Sequence, residues 1–272
     1  MGSLFNFINY NKPGPGVQKN EPPKPRVIVF FKIYSRKLWN LIKLNILFSL
    51  FNIPALLSIF VLFVVFSGIF QGLFKGETSL ISSLFFPLSA LFLCVPVITT
   101  GPAQAGFTYV LRNYSRQEHA FIWSDFKEHA LKNFKQGLLI SIIDFLVTLL
   151  VFIDISIYAN SGMKSLLVSI SEYIIALLFM IYLMMHLYIY PMLVTFKLSL
   201  RHIYKNAFIF AMVNLIPNAG ILLLCFVLSA IPFLFFPVMS YTLFPFITLS
   251  TIGFITNFYA YPILEKYMIN KE

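Results

Sequence analysis

The longest stretch of this chain without a charged side chain runs from Asn206 to Leu264, 59 residues with no Asp, Glu, Lys or Arg. One helical crossing of a bilayer takes about 20 predominantly apolar residues. A run of 59 therefore predicts two membrane spans with a turn between them. Leu44 to Phe74 and Thr78 to Leu111 are also free of charge, so the same pattern recurs along the chain.

The composition excludes a soluble domain. Charged residues make up 11% of the 272 residues and hydrophobic residues 59%, whereas a soluble domain carries roughly a quarter charged residues on its polar surface. Burial of this much apolar surface in a water-soluble core of this length is implausible. The sequence predicts a polytopic membrane protein.

The net charge of +10 is explained by membrane topology. If the N-terminus is inside, 18 of the 20 Lys and Arg residues fall on the inner side, and only Lys75 and Lys164 fall outside. This asymmetry obeys the positive-inside rule. Basic residues beside membrane ends also attract anionic lipid headgroups. We therefore expect membrane lipids as partners, no nucleic acid, and both termini on the cytosolic side.

We predict an all-α integral membrane protein with six transmembrane helices. Residues 1–43 form a cytosolic extended segment and an interfacial helix, residues 44–264 the transmembrane domain, and residues 265–272 a cytosolic tail. The predicted spans cover about residues 44–69, 80–108, 138–157, 173–196, 207–231 and 241–264.

An internal repeat groups these spans into hairpins. Each odd span opens near a basic residue and an Asn, and each even span closes with a Pro after Gly or Tyr. The separations from Asn to Pro are 62, 58 and 56 residues for the pairs Asn40–Pro102, Asn133–Pro191 and Asn206–Pro262. Similar lengths predict three hairpins that enter from the same side, as parallel repeats around an axis normal to the membrane.

The connector, residues 112–136, links the first two hairpins. Asp125 and Glu128 fit a capping box that would start a helix. Phe126, Ala130 and Phe134 then share one face of that helix. We expect an amphipathic helix on the cytosolic surface between spans 2 and 3, where a partner could touch it. The candidate partner-contact residues are Arg112, Arg116, Trp123, Asp125, Phe126, Lys127 and Phe134.

Several motifs resemble the YesL-type family of polytopic bacterial membrane proteins. They are NYNKPGPGV (residues 9–17), ITTGPAQAGFTYVLRN (98–113), EHAFIWSDF (118–126) and KNFKQG (132–137). Members of that family tend to be encoded beside carbohydrate ABC importers. The resemblance therefore implies an accessory role in oligosaccharide uptake, with ABC permease subunits as partners and the ATPase as a further candidate.

Asp144 and His186 are the intramembrane polar candidates. With a rise of about 1.5 Å per residue, Asp144 lies ~12 Å in from Gln136 and His186 ~15 Å in from Phe196, so the two could meet at one depth. Ionisable groups inside a membrane are costly and suggest function. The pair could instead form a structural hydrogen bond within the bundle. Both interpretations stay open at this point.

The chain has no phosphate-binding loop, no G-x-S-x-G elbow and no dinucleotide fingerprint. His119, Asp125 and His129 do not have the spacing of a metal site. We therefore expect no enzyme activity, no cofactor and no metal. The favoured hypothesis is an accessory subunit of a carbohydrate ABC importer in the bacterial cytoplasmic membrane. The alternative is a stand-alone small-solute transporter or channel at the level of Asp144 and His186.

Overall fold

The computed structural model describes residues 24–74, 99–161, 166–236, 239 and 243–269. Within these ranges all regular structure is helical and no strand is present. The helices are α1 (Arg26–Phe74), α2 (residues 99–115), α3 (Ile122–Lys132), α4 (Phe134–Ser161), α5 (Leu166–Thr195), α6 (Leu200–Val213), α7 (Leu215–Phe235) and α8 (Leu249–Leu264). Wider π-helical turns, Phe244–Thr248 and Glu265–Ile269, flank α8. The prediction of a helical chain is confirmed for this part of the sequence.

Four helical segments are long and apolar enough to cross a bilayer, and a fifth is added if the bent pair α6–α7 counts as one span. The four are Arg26–Ala55, Phe134–Val151, Ile170–Thr195 and Phe244–Ile269. The described residues therefore fit a multi-pass membrane protein with four or five candidate spans, where six were predicted. Residues 80–98 of the second predicted span lie outside the described ranges.

The surface of the candidate spans is apolar. Leu150 of α4, Leu177 of α5 and Phe226 of α7 are 66%, 61% and 67% exposed. A soluble monomer rarely exposes apolar patches of more than a few hundred Å². These outward side chains fit contact with lipid chains.

Helix α1 runs without a break through residue 43, where an interfacial helix was predicted to give way to the first span. Its 49 residues correspond to a length of about 74 Å, against roughly 30 Å for the hydrocarbon core of a bilayer. One end or both must therefore extend beyond the hydrocarbon.

The first half of α1 packs against α8 through polar contacts. The hydroxyl groups of Tyr34 and Thr251 lie 2.8 Å apart. Asn45 is fully buried; its Nδ2 donates to the carbonyl oxygen of Phe244 at 3.0 Å, and its Oδ1 accepts the backbone N–H of Ser250 at 2.6 Å. The amide thus satisfies backbone groups at the turn that leads into α8, which lipid could not do.

Helix α2 lies against several other helices, and glycines set the spacing. A Cβ on Gly106 would overlap the carbonyl oxygen of Phe126 in α3. A Cβ on Gly253 of α8 would lie 2.6 Å from Leu111 Cδ1 and 2.8 Å from Phe107 Cε1. Small residues let helix backbones approach closely inside membranes. The segment ITTGPAQAGFTYVLRN, one of those that carry the family resemblance, therefore includes a packing centre of the fold.

Asparagines mark two breaks between consecutive helices. Asn133 lies between α3 and α4, and its Nδ2 donates to the carbonyl oxygen of His129 at 2.9 Å. Asn214 lies between α6 and α7, where the axis bends by 96°, and its Nδ2 donates to Phe210 O at 3.4 Å. Each amide satisfies a carbonyl that the helix end leaves open. The fifth predicted span began at residue 207, whereas residues 207–213 belong to α6 and α7 begins at Leu215.

The amphipathic helix expected in the connector is present as α3, but the predicted capping box is wrong in its register. The helix begins at Ile122, after Phe121 in extended conformation, so Asp125 lies inside the first turn. The Asp125 carboxylate accepts the backbone N–H of Phe121 at 2.9 Å. Ile122 packs on the core around Phe126, and this apolar contact one turn earlier explains the earlier start.

Candidate functional site

The structure brings Asp144 of α4 and His186 of α5 into contact. His186 Nε2 lies 2.9 Å from Asp144 Oδ1, and the side chains are 25% and 31% exposed. Tyr182, one turn before His186, donates its hydroxyl to the same carboxylate oxygen. The Tyr182 hydroxyl and the His186 imidazole therefore contact the same oxygen of the Asp144 carboxylate.

A cavity of about 630 Å³ opens beside this pair, and this volume lies within the range of small-molecule sites. Its lining comes from α1, α2, α4, α5, α7 and α8. The polar lining residues are Thr100, Gln104, Ser141, Asp144, Thr148, His186, Tyr190 and Thr256. Apolar and aromatic side chains, among them Phe48, Phe107 and Phe145, complete the wall.

The backbones of α2 and α4 cross closely at one end of this cavity. A Cβ on Gly101 would overlap the carbonyl oxygen of Gly137 and the hydroxyl of Ser141. The hydroxyls of Thr100 and Ser141 lie 3.4 Å apart. Because α4 carries Asp144 three residues beyond Ser141, this crossing positions the acid relative to α2.

Two of the predicted partner-contact residues are buried within the chain, which corrects their assignment to the surface. Arg112 is 7% exposed and donates from Nη1 to the carbonyl oxygen of Val194 at 3.0 Å and to Thr195 Oγ1 at 3.3 Å. Burial lowers the pKa of its guanidinium. Phe126 is 0% exposed. The sequence did not indicate this burial, because the connector lacks a long apolar run. In the structure, the side chains of Arg112 and Phe126 pack into the interior and hold the connector against the other helices.

The other candidates remain at the surface. Trp123 is 58% exposed, with its ring centroid 6.2 Å from that of Phe51. Lys127 is exposed one turn later, and Phe134 is 39% exposed. Arg116 pairs with Glu118 at 2.8 Å. Asp125 is half-buried.

The end of α2 opens onto a second space, a cleft of about 390 Å³. Gln117 adopts a left-handed conformation there, with φ of 62°. Glu118 N–H donates to Asn113 O at 2.8 Å and Gln117 N–H to Tyr114 O at 3.0 Å. These two bonds form a Schellman motif, in which glycine is the usual residue at the position of Gln117.

Two features of the site were not expected from the sequence. His129 stacks on Tyr109 of α2, with ring centroids 3.3 Å apart, and burial lowers the pKa of its imidazole. Asn218, fully buried, accepts the hydroxyls of Tyr188 and Tyr259, each at 2.7 Å. An Asn in an apolar run could have signalled such a network, since a buried amide needs partners.

Among the residues that the structure describes, no three His, Cys, Asp or Glu side chains come together as a metal site would require. The arrangement at Asp144 offers instead one carboxylate, one imidazole and several hydroxyls beside a cavity. Such groups can bind a polar ligand or a proton.

Comparison with known proteins finds a family model that matches part of the chain. Residues 41–155 match the family described as "Protein of unknown function, DUF624". No curated protein and no solved structure matches the chain. The matched range includes α2, α3 and most of α4. The YesL-type proteins are in this family, so the resemblance predicted from the sequence is confirmed by this match.

Proposed function

We propose that this chain is an accessory subunit of a membrane transport complex and that the exposed side of α3 contacts its partner. The observation that carries the proposal is the exposure of Trp123 and Leu131, 58% and 62%, on a helix whose opposite side is packed on α2. Tryptophan is enriched among the residues that dominate binding energy at interfaces. Lys127 lies between them on the same face and adds charge to it.

The identity of the partner comes from the resemblance alone. It implies the permease subunits of a carbohydrate ABC importer, with the ATPase as a further candidate. An amphipathic helix that docks in a groove is a common mode of protein recognition. The chain would carry out no chemistry of its own in this role.

Copurification tests this role. After mild detergent extraction from the native bacterium, the tagged chain is expected to retain a permease. Trp123→Ala should reduce the yield of the permease roughly tenfold or more, because truncation of an interface tryptophan costs about 2 kcal/mol or more. Trp39→Ala is the matched control, since Trp39 is 73% exposed on α1, away from the proposed face. Equal losses for the two variants, or no permease at all, would reject the role.

The proposal includes six spans in three hairpins with both termini in the cytosol of a bacterial cell. It is supported by the similar build of α3–α4 and α6–α7, where an amphipathic helix ends at an Asn and a span follows. Labelling with an impermeant thiol reagent tests the orientation in a variant without Cys94 and Cys225. A cysteine at Lys75 should react from outside in intact cells and one at Lys127 should not. The reverse pattern would reject the orientation.

A second candidate, stand-alone transport of a small solute, is favoured by the cavity at Asp144 and His186. Polar groups near the middle of a membrane span commonly mark a substrate path. Flux by the purified chain in liposomes would support this candidate, and its absence together with a copurifying permease would leave the accessory role.

A further inference from the structure

We propose that the cavity beside Asp144 and His186 binds a small organic cation, an amine or a quaternary ammonium, with Asp144 as its counter-ion. This ligand class goes beyond both proposed roles, because an accessory subunit and a transporter could each carry such a site. The inference rests on the charge, the walls and the size of the cavity.

The charge of the lining favours a cation. Among the described residues that line it, Asp144 is the one carboxylic acid and His186 the one basic side chain. With a neutral imidazole the cavity therefore carries a single negative charge. A charge held away from water is costly unless a partner compensates it. A neutral polyol would leave this charge uncompensated, whereas a monocation would neutralise it.

The carboxylate retains an open position for such a partner. Tyr182 and His186 both contact Oδ1. Among the described residues, no hydrogen-bond donor contacts Oδ2. The side chain is 31% exposed and lines the cavity, so an ammonium group could reach it from there.

The walls suit the rest of an organic cation. Phe48, Phe107, Phe145 and Tyr190 line the cavity, and aromatic faces attract ammonium groups through their quadrupole. The volume of about 630 Å³ lies within the range of small-molecule sites. An inorganic cation would require a cage of oxygen ligands, and this largely apolar wall does not favour one.

Isothermal titration of the purified full chain in nanodiscs with benzyltrimethylammonium chloride tests the site. We expect binding at pH 8. Asp144→Asn should lose at least tenfold in affinity at pH 8. Asp154→Asn is the matched control, since Asp154 lies on the same helix but does not line the cavity; its affinity should equal that of the wild type.

Three outcomes would overturn the inference: no binding at pH 8, equal binding by Asp144→Asn, or binding of a neutral polyol such as maltose in place of the cation. The comparison of the cation with the neutral polyol uses the wild type and tests the proposal even if Asp144→Asn does not fold. Because the measurement uses the chain alone, its result is independent of whether a permease copurifies or solute crosses liposomes.

Discussion

Gly101 and Gly137 face each other with no room for a side chain between them. A Cβ on Gly137 would lie 3.0 Å from both the carbonyl carbon and the carbonyl oxygen of Gly101. Close contact of this kind between small residues stabilises helix pairs in membranes, where the hydrophobic effect contributes little. The contact joins α2 to the helix that carries Asp144, so it links the packing centre of the fold to the cavity.

Gly101→Leu is expected to destabilise the protein by about 1–3 kcal/mol or more, because overpacking forces the two backbones apart. A thermal melt of the purified protein in detergent measures the change. Gly220→Ala is the matched control: its Cβ would meet no atom of the described residues within 4 Å, and alanine in a helix interior should stabilise by roughly 0.5–1 kcal/mol. Equal melting temperatures for Gly101→Leu and the wild type would contradict the contact.

Gln117→Gly is expected to stabilise the end of α2. The left-handed conformation at φ of 62° costs a residue with a side chain about 1–2 kcal/mol, and glycine removes that cost. Part of the gain is offset by the greater entropy of glycine in the unfolded chain, so a net gain of roughly 0.5–1 kcal/mol is expected. The melting temperature should rise for this variant and fall for Ser115→Gly, where the backbone is helical. A fall for both would show that the side chain of Gln117 contributes more than its backbone conformation costs.

Sequence patterns were sufficient to predict the helical class and the helix in the connector, because both depend on local hydrophobic periodicity. The contact between Asp144 and His186 also agrees with the estimate of depth, since antiparallel helices have a known rise per residue. Each of these features can be worked out from distances along one or two helices.

The helix break at Asn214 and the burial of Arg112 could not be predicted in the same way. Asn214 interrupts an apolar run that reads as one span, and whether an Asn ends a helix depends on the partners its amide finds in the fold. Arg112 looked exposed because of its charge, but carbonyl and hydroxyl groups from α5 satisfy its guanidinium. Such contacts join residues about 80 positions apart, and hydrophobic periodicity carries no information about them.

Acidification is expected to loosen the packing of α3 on α2 through His129. Burial lowers the pKa of this imidazole, with Lys132 and Arg112 acting in the same direction and Glu128 and Asp125 opposing. The unfolded chain therefore binds the proton more readily than the folded one, and stability falls as the pH drops below the ordinary histidine value of about 6.5. Above that pH the imidazole is neutral in both the folded and the unfolded chain, so its protonation no longer affects the free energy of unfolding.

The difference in melting temperature between pH 7.5 and 5.5 checks this expectation. His129→Phe retains an aromatic ring for the stack on Tyr109 but has no proton to bind, so its difference should be smaller than that of the wild type. His119→Phe is the control at an exposed histidine of the same connector, and it should behave as the wild type does. An unchanged difference in His129→Phe would place the pH sensitivity elsewhere.

The amide of Asn218 joins three helices and is expected to be costly to remove. Its Oδ1 accepts hydroxyls from Tyr188 of α5 and Tyr259 of α8, and its Nδ2 donates to the carbonyl oxygens of Phe210 and Ala211 at 3.2 Å. These two carbonyls lie at the end of α6, next to the 96° bend. Asn218→Leu keeps the volume but leaves four polar groups without this partner, at a cost of about 1–3 kcal/mol for each group that stays buried.

Chemical denaturation of Asn218→Leu, Tyr259→Phe and Tyr188→Phe separates the contributions. Each tyrosine variant removes one donor while the other still satisfies Oδ1, so a loss of only about 1 kcal/mol is expected. The double tyrosine variant should lose more than the sum, because Oδ1 is then left without a donor. If Asn218→Leu is as stable as the wild type, the network does not hold the bend, and the apolar packing between α5 and α6 must do so alone.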